Sequence, residues 1–399
     1  MIDTVLFRPR TRAKINPWMG SSLIKVITGQ RRVGKSAFLQ SLASELERRS
    51  GRAPLFVQRE MAEWGHVRTS DDLLALAAEH SRAGNAVLLV DEVQEIEGFE
   101  KALRSLAAEG RWDIYVTGSN AELLSGEIAS RLAGRSISIE MTPLGYDEFL
   151  VFHNREDGEE SLRLYLRYGG LPFLRHLPLR DDTVFEYLGS IAQTAILKDV
   201  VQRHILRNHD LLTRLVLFLA DSVGSPVSST SIAKFLKSQR AAASVPTILE
   251  YLHHLEQAYL VRRVRRQDLV GKRFLEVAEK HYFEDLGIRA ALRQTRPDEV
   301  GKVVENAVHH RLLMDGWTIC TGDQDGREID FVCDRGTDRM YVQATYLMAD
   351  ATTRAREFGN LLAIGDNHPK LVVSMDPLEQ DERGVKHLGL RAFLRDGWG

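Results

Sequence analysis

The chain has 399 residues, more than one ordinary domain of roughly 150 residues, and its 44% hydrophobic and 27% charged residues are those of a globular protein. Lys plus Arg number 53 against 55 Asp plus Glu, so the net charge of −2 identifies no partner. Two cysteines, Cys320 and Cys333, exclude a disulfide scaffold and a zinc ribbon; no apolar run reaches the ~20 residues of a membrane span, and the N-terminus lacks a leader's apolar stretch, so a cytoplasmic protein without membrane attachment is expected.

From residue 23 to 140, short apolar runs alternate with amphipathic stretches, the pattern of a parallel α/β sheet. Leu23–Thr28, Leu55–Gln58, Ala86–Val90, Ile114–Thr117 and Ser136–Glu140 read as strands, and Asp71–Ala83 and Phe99–Ala108 as helices. Beyond Leu144 strand signals cease: Asp147–Phe152, Ser161–Tyr168 and Thr183–Val201 read as helices, broken by YGGLP at 168–172. Three further helical patterns, Leu211–Val223, Thr230–Ser238 and Val245–Ala258, precede an alternating apolar-basic stretch that reads as a β-hairpin, together a winged-helix layout. The last part is again α/β, with helices at Val303–Met314 and Ala351–Leu362 and strands at Trp317–Cys320, EIDFVCD, MYVQATYLM and Leu371–Met375. The expected fold class is therefore α/β multidomain: a P-loop parallel sheet (1–144), a small helical subdomain (145–207), a winged helix (208–279) and a smaller C-terminal α/β domain (280–399).

The first strand runs into Gly29-Gln30-Arg31-Arg32-Val33-Gly34-Lys35-Ser36, which fits GxxxxGK[ST] without a mismatch. Glycines let the chain curl so that its N–H groups face phosphate oxygens, and the following helix offers its positive end. With Ala37, these residues form the expected ATP site: Lys35 neutralises the β/γ-phosphates and Ser36 offers a hydroxyl to Mg²⁺. Arg31 and Arg32 carry no catalytic assignment. The strand Val87–Val90 delivers Asp91, suited to Mg²⁺, and Glu92, suited to activating the attacking water. Ser119 and Asn120 end the next strand, where a polar group could touch the γ-phosphate or the water. Arg131 and Arg135 precede the last strand and are candidates for transition-state stabilisation, from the same or a neighbouring subunit.

TGQRRVGKS, LLVDEVQ, VTGSNAELLSGEIASRLAGRS, MTPLGYDEFL and YGGLP, in this order, resemble the prokaryotic AAA-type ATPases that end in a domain of unknown function; KHYFEDLGIRAAL and VENAVHHRLL resemble that C-terminal domain. The resemblance implies an AAA-type core, a helical lid, a winged helix and a restriction-endonuclease-like C-terminal domain. A site of that last kind needs a helix Glu, a strand Asp and E/Q-x-K. The chain offers Glu305, Asp330 and Gln343-Ala344-Thr345, with Glu328 and Asp323 as further acids. Thr345 has neither the charge nor the basicity of the missing Lys, so a catalytically inactive domain is expected.

Between Asn208 and Arg266 there are eight Lys/Arg and four Asp/Glu. Lys234, Lys237 and Arg240 close one helix, while Arg262, Arg263, Arg265 and Arg266 lie along the expected wing, a distribution that suits phosphate contacts with duplex DNA. His253 and His254 read as surface or packing residues. The leading expectation is a Mg²⁺-dependent ATPase coupling its nucleotide state to DNA or a protein partner, as a homo-oligomer if an arginine acts between subunits. The alternative is a nucleotide-gated binding switch with negligible turnover; an ATP-driven nuclease is opposed by Thr345.

Overall fold

Each apolar run of the N-terminal part becomes a strand of one sheet in the computed structural model, which describes residues 8–80, 86–121, 132, 134–202, 208–271, 273–293 and 296–398. Two compact units emerge: Met1–Thr142 with Gln257–Tyr259, and Pro143–Glu256 with Leu260–Gly399.

In the first unit, β1 (Ile24–Thr28), β2 (Leu55–Gln58), β3 (Ala86–Asp91), β4 (Trp112–Gly118) and β5 (Ser136–Glu140) form a five-stranded sheet in the order β2-β3-β4-β1-β5. Every pairing is parallel. Strands covered on both faces need apolar residues at consecutive positions, because neighbours along a strand point to opposite sides. Accordingly Val26, Leu88, Val90, Ile114 and Val116 pack with Leu73 and Ala77 of α3 (Ser70–His80) and with Leu103 and Leu106 of α4 (Phe99–Ala108). Their neighbours Ile27, Leu89 and Tyr115 pack on the other face with Phe38, Leu39 and Leu42 of α2 (Lys35–Ser50) and Ile15 of α1 (Pro9–Ile15). Each such aliphatic side chain, fully buried, contributes about 1.5–3 kcal/mol.

The second unit opens with α5 (Tyr146–Phe152), α6 (Glu159–Tyr168) and α7 (Asp181–Thr194), the last continuing through wider π-helical turns over Ala195–Gln202. Next come α8 (His209–Asp221), α9 (Ser229–Ser238), α10 (Val245–Gln257) and the hairpin β6 (Val261–Asp268) and β7 (Arg273–Phe283). The remaining elements are α11 (Leu286–Leu292), α12 (Val300–Met314), β8 (Thr318–Gln324), β9 (Arg327–Arg335), β10 (Asp338–Ala344), α13 (Ala351–Leu362), β11 (Lys370–Ser374), β12 (Lys386–Gly389) and α14 (Leu390–Asp396).

Here one expectation is corrected. The hairpin is no free-standing wing: it forms one side of a seven-stranded sheet ordered β12-β11-β10-β9-β8-β6-β7. Arg266–Asp268 of β6 pair in parallel with Thr321–Asp323 of β8, so the boundary expected at 279/280 falls inside β7. Alternation along a strand shows which residues face inward, not which distant strand completes the sheet.

The YGGLP segment has a specific partner. The Gly170 N–H donates to Asp285 Oδ2 (2.7 Å), and Asp285 Oδ1 accepts the Ile288 N–H at the start of α11 (2.9 Å). A Cβ on Gly287 would lie 1.9 Å from the Tyr168 carbonyl oxygen, so only glycine permits this approach. YGGLP and EDLG, far apart in sequence, are thus two halves of one clasp.

Candidate functional site

The loop after β1 is shaped by two glycines. Gly29 has φ +145°, and a Cβ there would stand 2.1 Å from the Met141 carbonyl oxygen; Gly34, at φ +99°, precedes the first turn of α2. Val33 is fully buried, and its carbonyl accepts from Arg8 Nη1 (3.0 Å) while Arg8 Nη2 reaches the Thr142 carbonyl (2.6 Å). One buried guanidinium therefore ties the phosphate loop to the chain just past β5. Lys35 is 4% exposed, and its ammonium donates to the carbonyls of Gly29 (2.8 Å) and Gln30 (3.0 Å), curling back over the loop. Ser36 and Ala37 are exposed at the helix start, Arg31 is half-buried and Arg32 exposed at φ +69°.

The acids reach the same edge. Asp91 ends β3 and is buried; its carboxylate accepts from the Thr117 hydroxyl. Burial pushes its pKa up, opposed by the Thr117 hydrogen bond, the nearby Ser36 hydroxyl and the Lys35 charge, while the Glu92 charge adds to the upward shift. Glu92 sits in the left-handed region (φ +52°), which turns its side chain off the strand direction, and its N–H donates to Thr117 Oγ1 (3.0 Å). Gln94 Nε2 in turn donates to Glu92 Oε2. The donor set of Ser36 hydroxyl and Asp91 carboxylate, both hard oxygens, fits a Mg²⁺ ion.

Ser119 and Asn120 follow the end of β4, between β3 and β1, and both are 1% exposed. The Ser119 hydroxyl and the Gln30 amide have no hydrogen-bond partner among the described residues. Arg135 stands elsewhere. Its carbonyl accepts from the Ile24 N–H (2.8 Å) at the start of β1, whereas the loop follows Thr28 at the end, roughly 13 Å along the strand. It is exposed at the sheet edge opposite the phosphate loop. Arg131 lies outside the described residues.

Residues 21–150 match the AAA domain model, and residues 159–299 match a Domain of unknown function (DUF8612). An uncharacterized protein of Haemophilus influenzae is 32% identical over 391 residues, 96% of either chain. The chain belongs to this AAA-domain family. An uncharacterized protein of Methanocaldococcus jannaschii is 29% identical over 254 residues, covering 60% of this chain and 55% of that one. The Walker-type ATPase PABY2304 of Pyrococcus abyssi superposes with a TM-score of 0.50 at 15% identity, over 73% of this chain and 96% of that one, and shares its fold.

The AAA-domain protein has a second polar centre, in its other unit. Glu305 of α12, Asp330 of β9 and Gln343 of β10, the residues the resemblance singles out, lie together, with the Asp330 N–H donating to Gln343 Oε1 (3.3 Å). Glu328 belongs to the group; Asp323 does not, being ion-paired with Arg266. Thr345 is tied by its N–H to the Val373 carbonyl (3.0 Å). A lysine is nevertheless present. It is Lys280, supplied by β7 and bonded to Glu305, Glu328 and Asp330. Burial disfavours its ammonium, but the charges of Asp330, Glu305 and Glu328 outweigh that and hold its pKa well above the usual value. Burial and then the Asp330 charge push the Glu305 carboxyl to about 7.

A Ser-His-Asp line elsewhere in this unit is structural. His387 Nδ1 accepts from the Gln380 N–H (3.0 Å), so Nε2 keeps the proton and donates to Ser374 Oγ (2.8 Å), which donates to Asp376 Oδ2 (2.7 Å). The imidazole thus presents a donor, not a basic lone pair, to the serine.

The wing arginines are mostly committed within the unit. Arg262 pairs with Glu284 (3.1 Å), Arg263 with Glu256 (3.0 Å) and Glu279 (3.5 Å), and Arg266 with Asp323; Arg265 is exposed. By contrast Lys234, Lys237 and Arg240 at the end of α9 are exposed and have no ion-pair partner among the described residues. Sequence reasoning missed Arg8, Thr117, Gln94 and Lys280. Only Thr117 carried a signal, as a hydroxyl ending an apolar strand beside the acidic one.

Proposed function

We propose that this protein is a Mg²⁺-dependent ATPase that couples its nucleotide state to duplex DNA. The observation that supports the reading is the buried Asp91 carboxylate at the end of β3, close enough to Lys35 and Ser36 at the start of the phosphate-binding helix for both to stabilise its charge.

Gly29–Ser36 and Ala37 would hold ATP through backbone N–H groups and the helix N-terminus, and Lys35 would exchange its carbonyl partners for β/γ-phosphate oxygens. Mg²⁺ held by Ser36 and Asp91 would supply charge neutralisation at those oxygens. Glu92 orients the attacking water and takes its proton, with Thr117 fixing the backbone from which it projects. Ser119 and Asn120 would contact the γ-phosphate. Arg135, at the opposite sheet edge, acts on the nucleotide of a neighbouring subunit, so hydrolysis requires an oligomer.

In the second unit, α8–α10 with the hairpin support a winged-helix reading. The order α12, antiparallel β8-β9-β10, α13 and parallel β11 supports a restriction-endonuclease-like one. DNA would be met by the face of Lys234, Lys237 and Arg240.

Steady-state ATP hydrolysis with Mg²⁺, with and without duplex DNA, tests this beside Lys35→Ala and Glu92→Gln. Turnover lost in both variants and raised by DNA is expected. ATP binding without turnover under every condition would replace the ATPase by a switch.

A further inference from the structure

The Lys280 ammonium stands among three carboxylates: it donates hydrogen bonds to Glu305 Oε1 (2.8 Å) and Asp330 Oδ1 (3.1 Å) and is ion-paired with Glu328 Oε1 (2.8 Å). The lysine side chain is 1% exposed, Glu305 13% and Asp330 9%. The arrangement is built from both sides. β7 points Lys280 and, two residues on, Tyr282 to one face, and the Tyr282 hydroxyl also donates to Glu305 Oε1 (2.7 Å). Asp330 Oδ2 accepts the Ala344 N–H (3.0 Å). Glu357, itself buried, has its own cation, Arg356 (2.6 Å).

Carboxylates brought this close repel unless a cation sits among them. In this chain the cation is covalently attached. A divalent ion using the same oxygens, at about 2.0–2.6 Å, would have to stand where Nζ stands, and two positive charges do not share one seat.

We propose that Lys280 is a built-in cation that closes the Glu305–Glu328–Asp330 centre to divalent metal, so that the C-terminal unit performs no metal-dependent phosphodiester cleavage. The centre lacks more than the lysine expected at position 345: its metal position is filled. Taking the amine away leaves three acids around a vacancy, which makes the seat available. The inference is independent of what the phosphate loop does.

The test uses the full chain carrying Asp91→Asn, which removes the metal ligand of the first unit, and Mn²⁺ alone as the probe, followed by electron paramagnetic resonance. This parent should bind no Mn²⁺ at the centre and leave supercoiled plasmid intact with Mn²⁺. Lys280→Ala, or Lys280→Met to keep the buried stem, should gain one Mn²⁺ site at least roughly tenfold tighter than any binding by the parent, lost again when Asp330→Asn is added. These variants should melt earlier in chelator and be restored by Mn²⁺, an effect the parent does not show. Mn²⁺ binding by the parent that Asp330→Asn abolishes, or a folded Lys280 variant that gains no Mn²⁺, would overturn the proposal. If neither Lys280 variant folds even with Mn²⁺, the parent and its Asp330→Asn form decide it: identical Mn²⁺ isotherms support the closed centre, and a site lost in Asp330→Asn refutes it.

Discussion

The Thr117 hydroxyl donates to Asp91 Oδ1 and accepts the Glu92 N–H, so one side chain on β4 sets both acids that end β3. Thr117→Val keeps the shape and removes both bonds. A buried carboxylate left short of a donor costs about 1–3 kcal/mol of stability. ATP turnover should fall roughly tenfold with KM for ATP nearly unchanged, about 1.4 kcal/mol on the barrier. A drop in ATP affinity with kcat intact would place Thr117 in nucleotide binding instead.

Gln94 holds the other end of the base. Its amide donates to Glu92 Oε2 and so occupies one oxygen of a carboxylate proposed to take a proton from water. Gln94→Ala should raise basal kcat a few-fold and leave KM unaltered. A fall in kcat would mean that the amide aims Glu92 rather than restrains it.

Arg135 is at the sheet edge away from its own phosphate loop. Arg135→Ala should lose about 10³-fold in kcat, the scale of an arginine supplied in trans. Mixed with Lys35→Ala, itself inactive, it should regain turnover, since mixed oligomers contain sites with one intact loop and one intact arginine. Two inactive proteins that stay inactive together would exclude the intersubunit role.

Asp285 makes stability depend on pH. Burial holds its folded carboxyl at about 6, whereas in the unfolded chain it ionises near 3.8. Between these values the folded state keeps a proton that the unfolded state has released, so raising pH favours unfolding by up to roughly 3 kcal/mol. The contribution is fully present below pH 4, lost through pH 6 and flat above. His153 and His281, both held near 4 by burial, work in the opposite direction below pH 6.5. The quantity to measure is therefore the stability of wild type minus that of Asp285→Asn; a flat difference from pH 4 to 7 would contradict the assignment.

The exposed cations of α9 and the paired arginines of β6 should behave differently toward DNA. Replacing Lys234, Lys237 and Arg240 by Glu should weaken duplex binding and reduce the slope of log K against log salt by about three. Arg262→Ala and Arg266→Ala, which break the pairs with Glu284 and Asp323, should leave that slope alone. The reverse pattern would return the hairpin to the interface.

What could be read from the chain depended on how local the physics was. Val87–Val90 followed by Asp91 and Glu92 declares a buried parallel strand with acids at its ligand edge, because apolar neighbours on both faces require a continuous run. The phosphate loop was equally plain, since its geometry is made by Gly29 and Gly34 within one turn. Lys280 was hidden for the opposite reason. A lysine was sought two residues beyond Gln343, whereas the one that arrives comes from β7, and nothing in KHYFEDLG announces which carboxylates it will meet. Arg8, the first of three alternating arginines at the start of a short helix, likewise has no spacing that would single it out or betray its carbonyl partners.

The run of β6 beside β8 decides where the protein can be cut. A fragment starting at residue 280, the boundary expected from the pattern of helices and strands, would strip β8 of the neighbour that pairs with Thr321–Asp323 and leave those backbone groups bare. It would retain Lys280 only on a severed end of β7. Such an edge recruits other copies and aggregates. A recombinant C-terminal piece therefore has to begin ahead of Val261, with the hairpin in place.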